Sequence, residues 1–223
     1  MKNFALVAGL LALIAAGAWA ADYEVEPFAG GPTVVETPNY DGTVELAWDN
    51  GQGRWLIAYY TGAGTWIGND FDISTIKTYP HIATLKMYSS ARWPNTAWEG
   101  FRIGVYSFGG GVPGSLMWGP TFVQGTGAGD RWVFFSVGWT LPSGVRKFLP
   151  AFEQFYNWPN CDPHLVDGNA TFLRHSWLYY GGQWQSYSNS TGYYNVMLRV
   201  IMDNDHNPGV SPSSIGRVKA LYY

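Results

Sequence analysis

The chain has 223 residues and a formal net charge of −3, and its charged side chains make up 13% against about 25% in ordinary globular domains. That balance lacks the clustered basic face of a nucleic-acid binder. Aromatic residues reach 17%, with 12 Trp, 15 Tyr and 12 Phe, so water must be met largely by hydroxyls, amides and glycine. Such a surface suits neutral polar partners, sugars above all, or other copies of the same chain.

The first twenty residues read as a secretory signal. Met1 and Lys2 give a basic start, Phe4 to Ala16 form an apolar run of h-region length, and Ala18-Trp19-Ala20 offers small residues for cleavage before Ala21. The run is too short to span a bilayer, and no transmembrane segment is expected after signal cleavage. No cysteine stands at the cleavage site, so lipid attachment is not expected there. The rest, about 200 residues, is expected to fold as one β domain. Cys161 is the one cysteine, which rules out an internal disulfide and makes it a candidate small buried apolar residue.

Residues 21–40 form an acidic, then Gly- and Pro-rich lead-in, with an edge strand expected at Thr33 to Glu36. Residues 41–207 carry the β pattern. Strands are expected at Thr43 to Trp48, Trp55 to Tyr60, Trp66 to Ile73, Ile82 to Tyr88 and Phe101 to Ser107. Further strands follow at Leu116 to Gln124, Arg131 to Trp139, Val145 to Tyr156, Phe172 to Tyr180, Gln183 to Tyr187 and Tyr194 to Met202. Alternation is clearest at Phe101, Ile103 and Val105, opposite Arg102 and Tyr106. It places Ala83, Leu85 and Met87 opposite Thr84 and Lys86, and Tyr194, Val196, Leu198, Val200 and Met202 on one face.

Turn clusters separate these runs at Gly109 to Gly111, Gly125 to Asp130, Pro142 to Gly144 and Asn189 to Gly192. Gly181-Gly182 is a two-residue hairpin signal, because both central positions of the favoured turn need positive φ. Arg131 to Trp139 and Val145 to Tyr156 are apolar on both faces, so an extra layer covers them or their outer aromatics form a working surface. Many short strands with turn signals and no strong helix predict an all-β, two-sheet antiparallel sandwich. Residues 208–223 form a tail in which Ser211 to Ser214 cap a short helix, with Ile215, Val218 and Leu221 along one side.

The order of these features resembles a known kind of domain. Asp41-Gly42 leads into a Trp-bearing strand, followed by Phe101-Arg-Ile-Gly-Val-Tyr106 and Gly109-Gly-Gly-Val-Pro-Gly114. Then come Tyr180-Gly-Gly-Gln-Trp184, Met197-Leu-Arg-Val-Ile201 and the tail Ser213-Ser-Ile-Gly-Arg-Val-Lys-Ala-Leu-Tyr222. This resembles the jelly-roll-like β-sandwich domains of secreted bacterial surface proteins, often found just ahead of a C-terminal sorting segment. The resemblance implies an extracellular binding or accessory role and no reaction. No complete sorting segment is expected after the tail.

Three clusters could carry chemistry. The first is a sugar platform: Trp93 and Trp98 in one polar loop, Trp158 in a second, and Trp184 with Tyr187, Gln183 and Gln185 around a third. Aromatic faces suit the C–H-rich faces of pyranose rings, and amides can bond the hydroxyls. The bland alternative is that each ring simply fills core.

The second is a structural calcium site at Asp203, Asp205 and Asn207, which alternate as oxygen ligands do. Pro208 and Ser214 break an EF-hand pattern, Asn69, Asp70 and Asp72 form a similar cluster, and for both a solvated Asp- and Asn-rich turn is the commoner reading. The third is glycoside hydrolysis by Glu99 and Glu153, which needs two carboxylates facing one bond. An acid in an aromatic strand could be kept protonated as the donor.

The scattered His81, His164, His175 and His206 lack zinc-ligand spacing, no nucleophile elbow or phosphate loop occurs, and no cofactor is expected. The expected function is a secreted, non-catalytic domain at the cell surface that recognises an extracellular polymer, most of all a polysaccharide or glycan. A self-assembling surface protein is the alternative, and a β-sandwich glycoside hydrolase the second.

Overall fold

The computed structural model describes residues 23–27, 43–75, 80–89, 100–123, 131–167, 174–189, 192–193 and 195–203. Its strands are β1 (Tyr23–Pro27), β2 (Thr43–Leu46), β3 (Trp55–Tyr59), β4 (Trp66–Asn69), β5 (Phe71–Asp72), β6 (His81–Ser89), β7 (Phe101–Gly109) and β8 (Val112–Val123). They continue as β9 (Arg131–Thr140), β10 (Lys147–Glu153), β11 (His164–Asp167), β12 (Ser176–Tyr180) and β13 (Gln183–Ser186). The last are β14 (Ser188–Asn189), β15 (Gly192–Tyr193), β16 (Asn195–Val196) and β17 (Leu198–Asp203).

The strands form two large antiparallel sheets. The first has eight strands in the order β1-β3-β11-β6-β17-β2, with β16 on β11 and β9 on β6. The second has seven, β13-β12-β4-β10-β7-β8, with β5 on β10, and β14 and β15 pair separately. No helix occurs among the described residues, and none is long and apolar enough to cross a membrane. The fold is thus the expected all-β sandwich. The tail helix expected near Ile215 and the edge strand expected at Thr33 to Glu36 lie outside the described residues. The lead-in does supply an edge strand, β1, which pairs with β3 along its whole length.

Two-residue periodicity builds the core between the sheets. Phe101, Ile103 and Val105 of β7 meet Leu85 and Met87 of β6 and Val196, Leu198, Val200 and Met202 of the last strands. The β6 pattern departs from simple alternation at one place. A bulge on β6 against β17, where Thr84 faces Ile201 and Ile82 faces the next residue, Met202, turns Ile82, rather than Ala83, into the core. One inserted residue flips the side chains beyond it, as a bulge must.

Of the strands that looked apolar on both faces, β10 is covered on both from Phe148 to Glu153, whereas β9 is covered on its outer side at Trp132 and exposes Ser136, Gly138 and Thr140. Trp132 of β9 joins Leu56, Tyr88, Cys161, Leu165 and Met197 in a second cluster outside the first sheet. Lys86 is buried beneath that layer. Its ammonium lies 4.8 Å from the Trp132 ring and pairs with Glu45 at 3.1 Å. Arg199 lies 4.5 Å from the same ring and reaches Glu45 and Asp49, each at 2.6 Å. Burial opposes the charge on Glu45, yet Arg199 and Lys86 hold its carboxyl below the ordinary range. Burial, with Asp162 beside it, pushes the Cys161 thiol up to about 12, leaving it protonated and unreactive at neutral pH.

β11 was not expected as a strand, since Pro159 and Pro163 flank its approach. It carries His164 into the core, where the ring stands against Tyr59 and Phe152 and Nε2 lies 3.0 Å from the Tyr187 hydroxyl. Burial pushes this imidazole down to about 3, from 6.5 when exposed. Below about pH 6.5 the unfolded chain therefore binds a proton that the folded chain refuses, and stability falls progressively as pH drops towards about 3. Urea midpoints measured from pH 7 to pH 4 should show this decline, and His164→Gln should flatten it. An equally steep decline in the variant would assign the acid limb to other groups.

Candidate functional site

The outer face of the second sheet carries a layer of aromatic side chains, Trp66, Tyr106, Phe108, Trp177, Tyr179 and Trp184. Register fixes which residues share it, because directly opposed residues in paired strands point the same way. Trp184 opposes Tyr179, Tyr179 opposes Trp66, Trp66 opposes Glu153, Glu153 opposes Arg102, and Arg102 opposes Phe122. One row of side chains therefore crosses β13, β12, β4, β10, β7 and β8. Beside it runs a row that is nearly empty in the middle. Trp177 opposes Gly68, Gly68 opposes Ala151, and Ala151 opposes Gly104.

The empty row lets large rings lie down on the sheet. A Cβ at Gly104 would stand 2.9 Å from Leu116 Cδ1 and 3.5 Å from the Trp66 ring, and one at Gly68 would stand 2.3 Å from the Pro150 carbonyl. Trp66 meets Tyr106 edge-on at 5.5 Å, Tyr106 meets Trp184 at 5.1 Å, and Trp184 meets Tyr179 at 5.3 Å. Tyr106 and Trp184 stand on β7 and β13, with three strands between them, so the two rings lean together over Trp66. Trp66 is buried in consequence, whereas Tyr106, Tyr179, Trp184, Trp177 and Phe108 are half-buried and keep edges in water. Burial, with Glu153 nearby, pushes the Tyr106 phenol well above its ordinary range, so it stays a neutral donor.

The pair at the centre of the row is closed. Glu153 has no exposed surface, yet both its oxygens are bonded. Arg102 Nε donates to Oε2, Arg102 Nη2 donates to Oε1 at 2.7 Å, and the Gly64 N–H donates to Oε1 at 2.5 Å. Glu153 in turn raises the affinity of the guanidinium for its proton. Beyond the pair, Arg102 lies 4.8 Å above the Phe155 ring, which meets Phe122 at 5.5 Å and Tyr156 at 4.8 Å.

The residues singled out from the sequence fall in several places. Trp184 is in the outer cluster. Gln183 and Gln185 are not beside its ring, because strand alternation sends both to the opposite face, where Gln185 opposes the core residue Leu178. Tyr187 is only 4% exposed and is spent on His164, so it is core rather than platform. Trp158 is half-buried in the loop after Asn157, edge-on to Tyr60 at 5.1 Å and away from Trp184 in the ring contacts.

Trp93, Trp98, Glu99, Asp205 and Asn207 lie outside the described residues. Asp203 accepts the His81 imidazole at 2.7 Å, which engages one of its oxygens. Asn69, Asp70 and Asp72 do not converge. Asn69 binds the β16–β17 backbone, Asp70 binds His175 and Trp177, and Asp72 caps Ser74. Among the described residues no group of three or more His, Cys, Asp or Glu side chains could hold a metal. Glu153, offered as a proton donor, instead has both oxygens engaged, by the Arg102 guanidinium and the Gly64 N–H.

The sequence reading missed Tyr179, Trp66 and Trp177 as companions of Trp184, and Phe122 and Phe155 as a second group beyond Arg102. Its own alternation had already set Arg102 and Tyr106 on the outward face of β7. Nothing local in the sequence says which strands lie side by side, and that is what gathers the rings.

No family model and no curated protein matches the chain. Among solved structures, the cysteine protease and lectin-like domains of Cwp84, a surface-layer-associated protein of Clostridium difficile, align with a TM-score of 0.55 at 12% identity, over 74% of this chain and 37% of that one. A clostridial Cwp84 structure determined after propeptide cleavage aligns with a TM-score of 0.51 at 13% identity, over 74% of this chain and 41% of that one. The chain thus spans about two fifths of those solved chains, and the likeness is one of fold.

Removing one member of a buried ion pair leaves the other charge uncompensated. Arg102→Met should therefore lower unfolding free energy by about 3 kcal/mol or more, and Arg102→Met with Glu153→Gln should recover most of that loss. Denaturant titration of the two variants decides it. A double variant no more stable than the single one would mean that Glu153 is not charged in the folded protein.

Proposed function

We propose that this chain is an exported β-sandwich module that binds a carbohydrate polymer at a cell surface and catalyses no reaction of its own. The observation that carries the reading is the half-exposed cluster of Tyr106, Tyr179 and Trp184 on the outer face of the second sheet. Rings fixed by their neighbours present flat apolar area with a polar edge and lose little conformational freedom on binding. Sugars offer matching C–H faces. The sparse charge of the chain leaves few ions to compete for that contact.

The fold likeness is consistent with this reading. The solved neighbour carries a lectin-like domain beside a cysteine protease domain and is surface-layer-associated. The state of Glu153 also supports a binding role. A fully buried carboxylate with both oxygens engaged has no free position from which to protonate a glycosidic oxygen.

A self-assembling surface protein is the second reading, and one observation favours it. The edge strand β8 is twelve residues long and exposes Val112, Leu116 and Phe122. Long apolar edges recruit further strands. The same strand carries Pro113 and Pro120, which lack a donor, and its pairing with β7 shifts register at three places. These features blunt an edge, so the carbohydrate reading is preferred.

A glycan array probed with the purified protein tests the reading. Binding to a subset of polysaccharides is expected, weakened about ten-fold or more by Trp184→Ala, as for a buried aromatic anchor. A folded protein that binds no arrayed glycan and sediments as discrete oligomers would overturn it in favour of assembly.

A further inference from the structure

A second group of rings stands at the far end of the same row. From Trp184 on β13 to Phe122 on β8 the row crosses six strands, a backbone span of about 24 Å at the usual spacing. The Tyr106–Trp184 cluster occupies one part of it and Phe155, Phe122 and Tyr156 the other, with Arg102 between. Phe122 and Tyr156 are 42% and 37% exposed, so this second group is not core.

Phe155 is held in place at a cost. Its φ of 61° is uncommon for any residue but glycine, and the surroundings enforce it. The buried Gln154 side chain accepts the Tyr59 N–H at 2.6 Å and donates to the carbonyls of Tyr59 at 2.8 Å and Tyr156 at 2.7 Å. Gly62 packs where a Cβ would lie 1.9 Å from the Tyr156 carbonyl, and its N–H donates to Asn157 Oδ1 at 2.8 Å. A polar scaffold, rather than apolar burial, thus props this ring at the surface. Backbone strain enforced by its surroundings is a feature of ligand clamps.

The charge of the row defines the ligand. Arg102 and Glu153 cancel, and the other members, Trp184, Tyr179, Trp66 and Phe122, are uncharged. Two of the five guanidinium N–H groups of Arg102 go to Glu153, and the side chain is 35% exposed, so donors remain for hydroxyls without a net positive charge to attract anions.

We propose that Phe155, Phe122 and Tyr156 form a second sugar-stacking subsite, so that the outer face holds one uncharged polysaccharide chain laid across the strands. Sugar units then rest on the Tyr106–Trp184 cluster and on the Phe155 group, and Arg102 donates to hydroxyls between them. This rests on the carbohydrate reading of the same face. It adds that the ligand is neutral and long enough to reach both groups.

Calorimetric titration with cello-, xylo- and manno-oligosaccharides of increasing length, and with polygalacturonate as an anionic polymer, tests the proposal. For at least one neutral series, affinity should rise about ten-fold or more from the shortest to the longest oligomer, and polygalacturonate should not bind. Phe155→Gly removes the ring while relieving its backbone, and Phe122→Ala removes its neighbour. Each should abolish the gain with length while leaving the shortest oligomer's affinity and the melting temperature nearly unchanged.

Binding that is independent of length, or a length gain that survives both variants, would overturn the second subsite while leaving the carbohydrate reading intact. Polygalacturonate binding as tightly as the neutral oligomers would overturn the neutral selectivity. Glycan binding untouched by Trp184→Ala, or none at all, would overturn the carbohydrate reading of this face and the subsite with it.

Discussion

The outer face of the second sheet depends on three side chains that are almost absent. Gly68, Ala151 and Gly104 lie in register across β4, β10 and β7, in the middle of the sheet. A Cβ at Gly104 would run into Leu116 and one at Gly68 into the Pro150 carbonyl, and the Trp66 ring lies in van der Waals contact with the Gly104 position, where a side chain longer than a methyl would meet it. Glycine inside a strand usually weakens it. Here the two glycines of the row sit between neighbours on both sides, and the ring layer restores the lost side-chain packing from outside.

The two sheets treat their outer faces differently, and the difference separates architecture from recognition. Outside the first sheet, Lys86 and Arg199 approach the ring of Trp132, which is buried, and their charges are consumed by Glu45 and Asp49. Those groups are locked together and serve the fold. Outside the second sheet, the pair of buried Glu153 and partly exposed Arg102 is surrounded by rings that keep exposed edges. Arg102 and Glu153 fix the centre of the face without giving it a net charge, while the aromatics supply contact area. On the proposed reading, a surface of that kind selects for shape and hydroxyl pattern rather than for ions.

Much of the fold was legible because antiparallel strands write their buried face in every second residue. Phe101, Ile103 and Val105 fell where alternation put them, as did Val196 through Met202, and Gly181-Gly182 took positive φ at both positions. What the sequence concealed was non-local. The bulge in β6 against β17 moved Ile82 inward, and β11 became a strand because β3 and β16 were there to pair with it. At the site, the indole of Trp184 stood out, but its partners on β12, β4 and β7 are remote in sequence. The glutamines beside it were read as neighbours in space, although adjacent positions on a strand point apart. Phe155 was read as continuing its strand, and only the Gln154 clamp and the gap at Gly62 show why the chain turns there.

The central claim is that the rings of the second sheet, rather than the loops or the first sheet, meet the ligand. A crystal structure of the protein with a bound neutral oligosaccharide measures this directly. Sugar rings should stack on Tyr106, Tyr179 or Trp184, with hydroxyls within hydrogen-bond reach of Arg102. Sugar density confined to the Trp158 loop or to the Trp132 face, with the outer face of the second sheet bare, would contradict it.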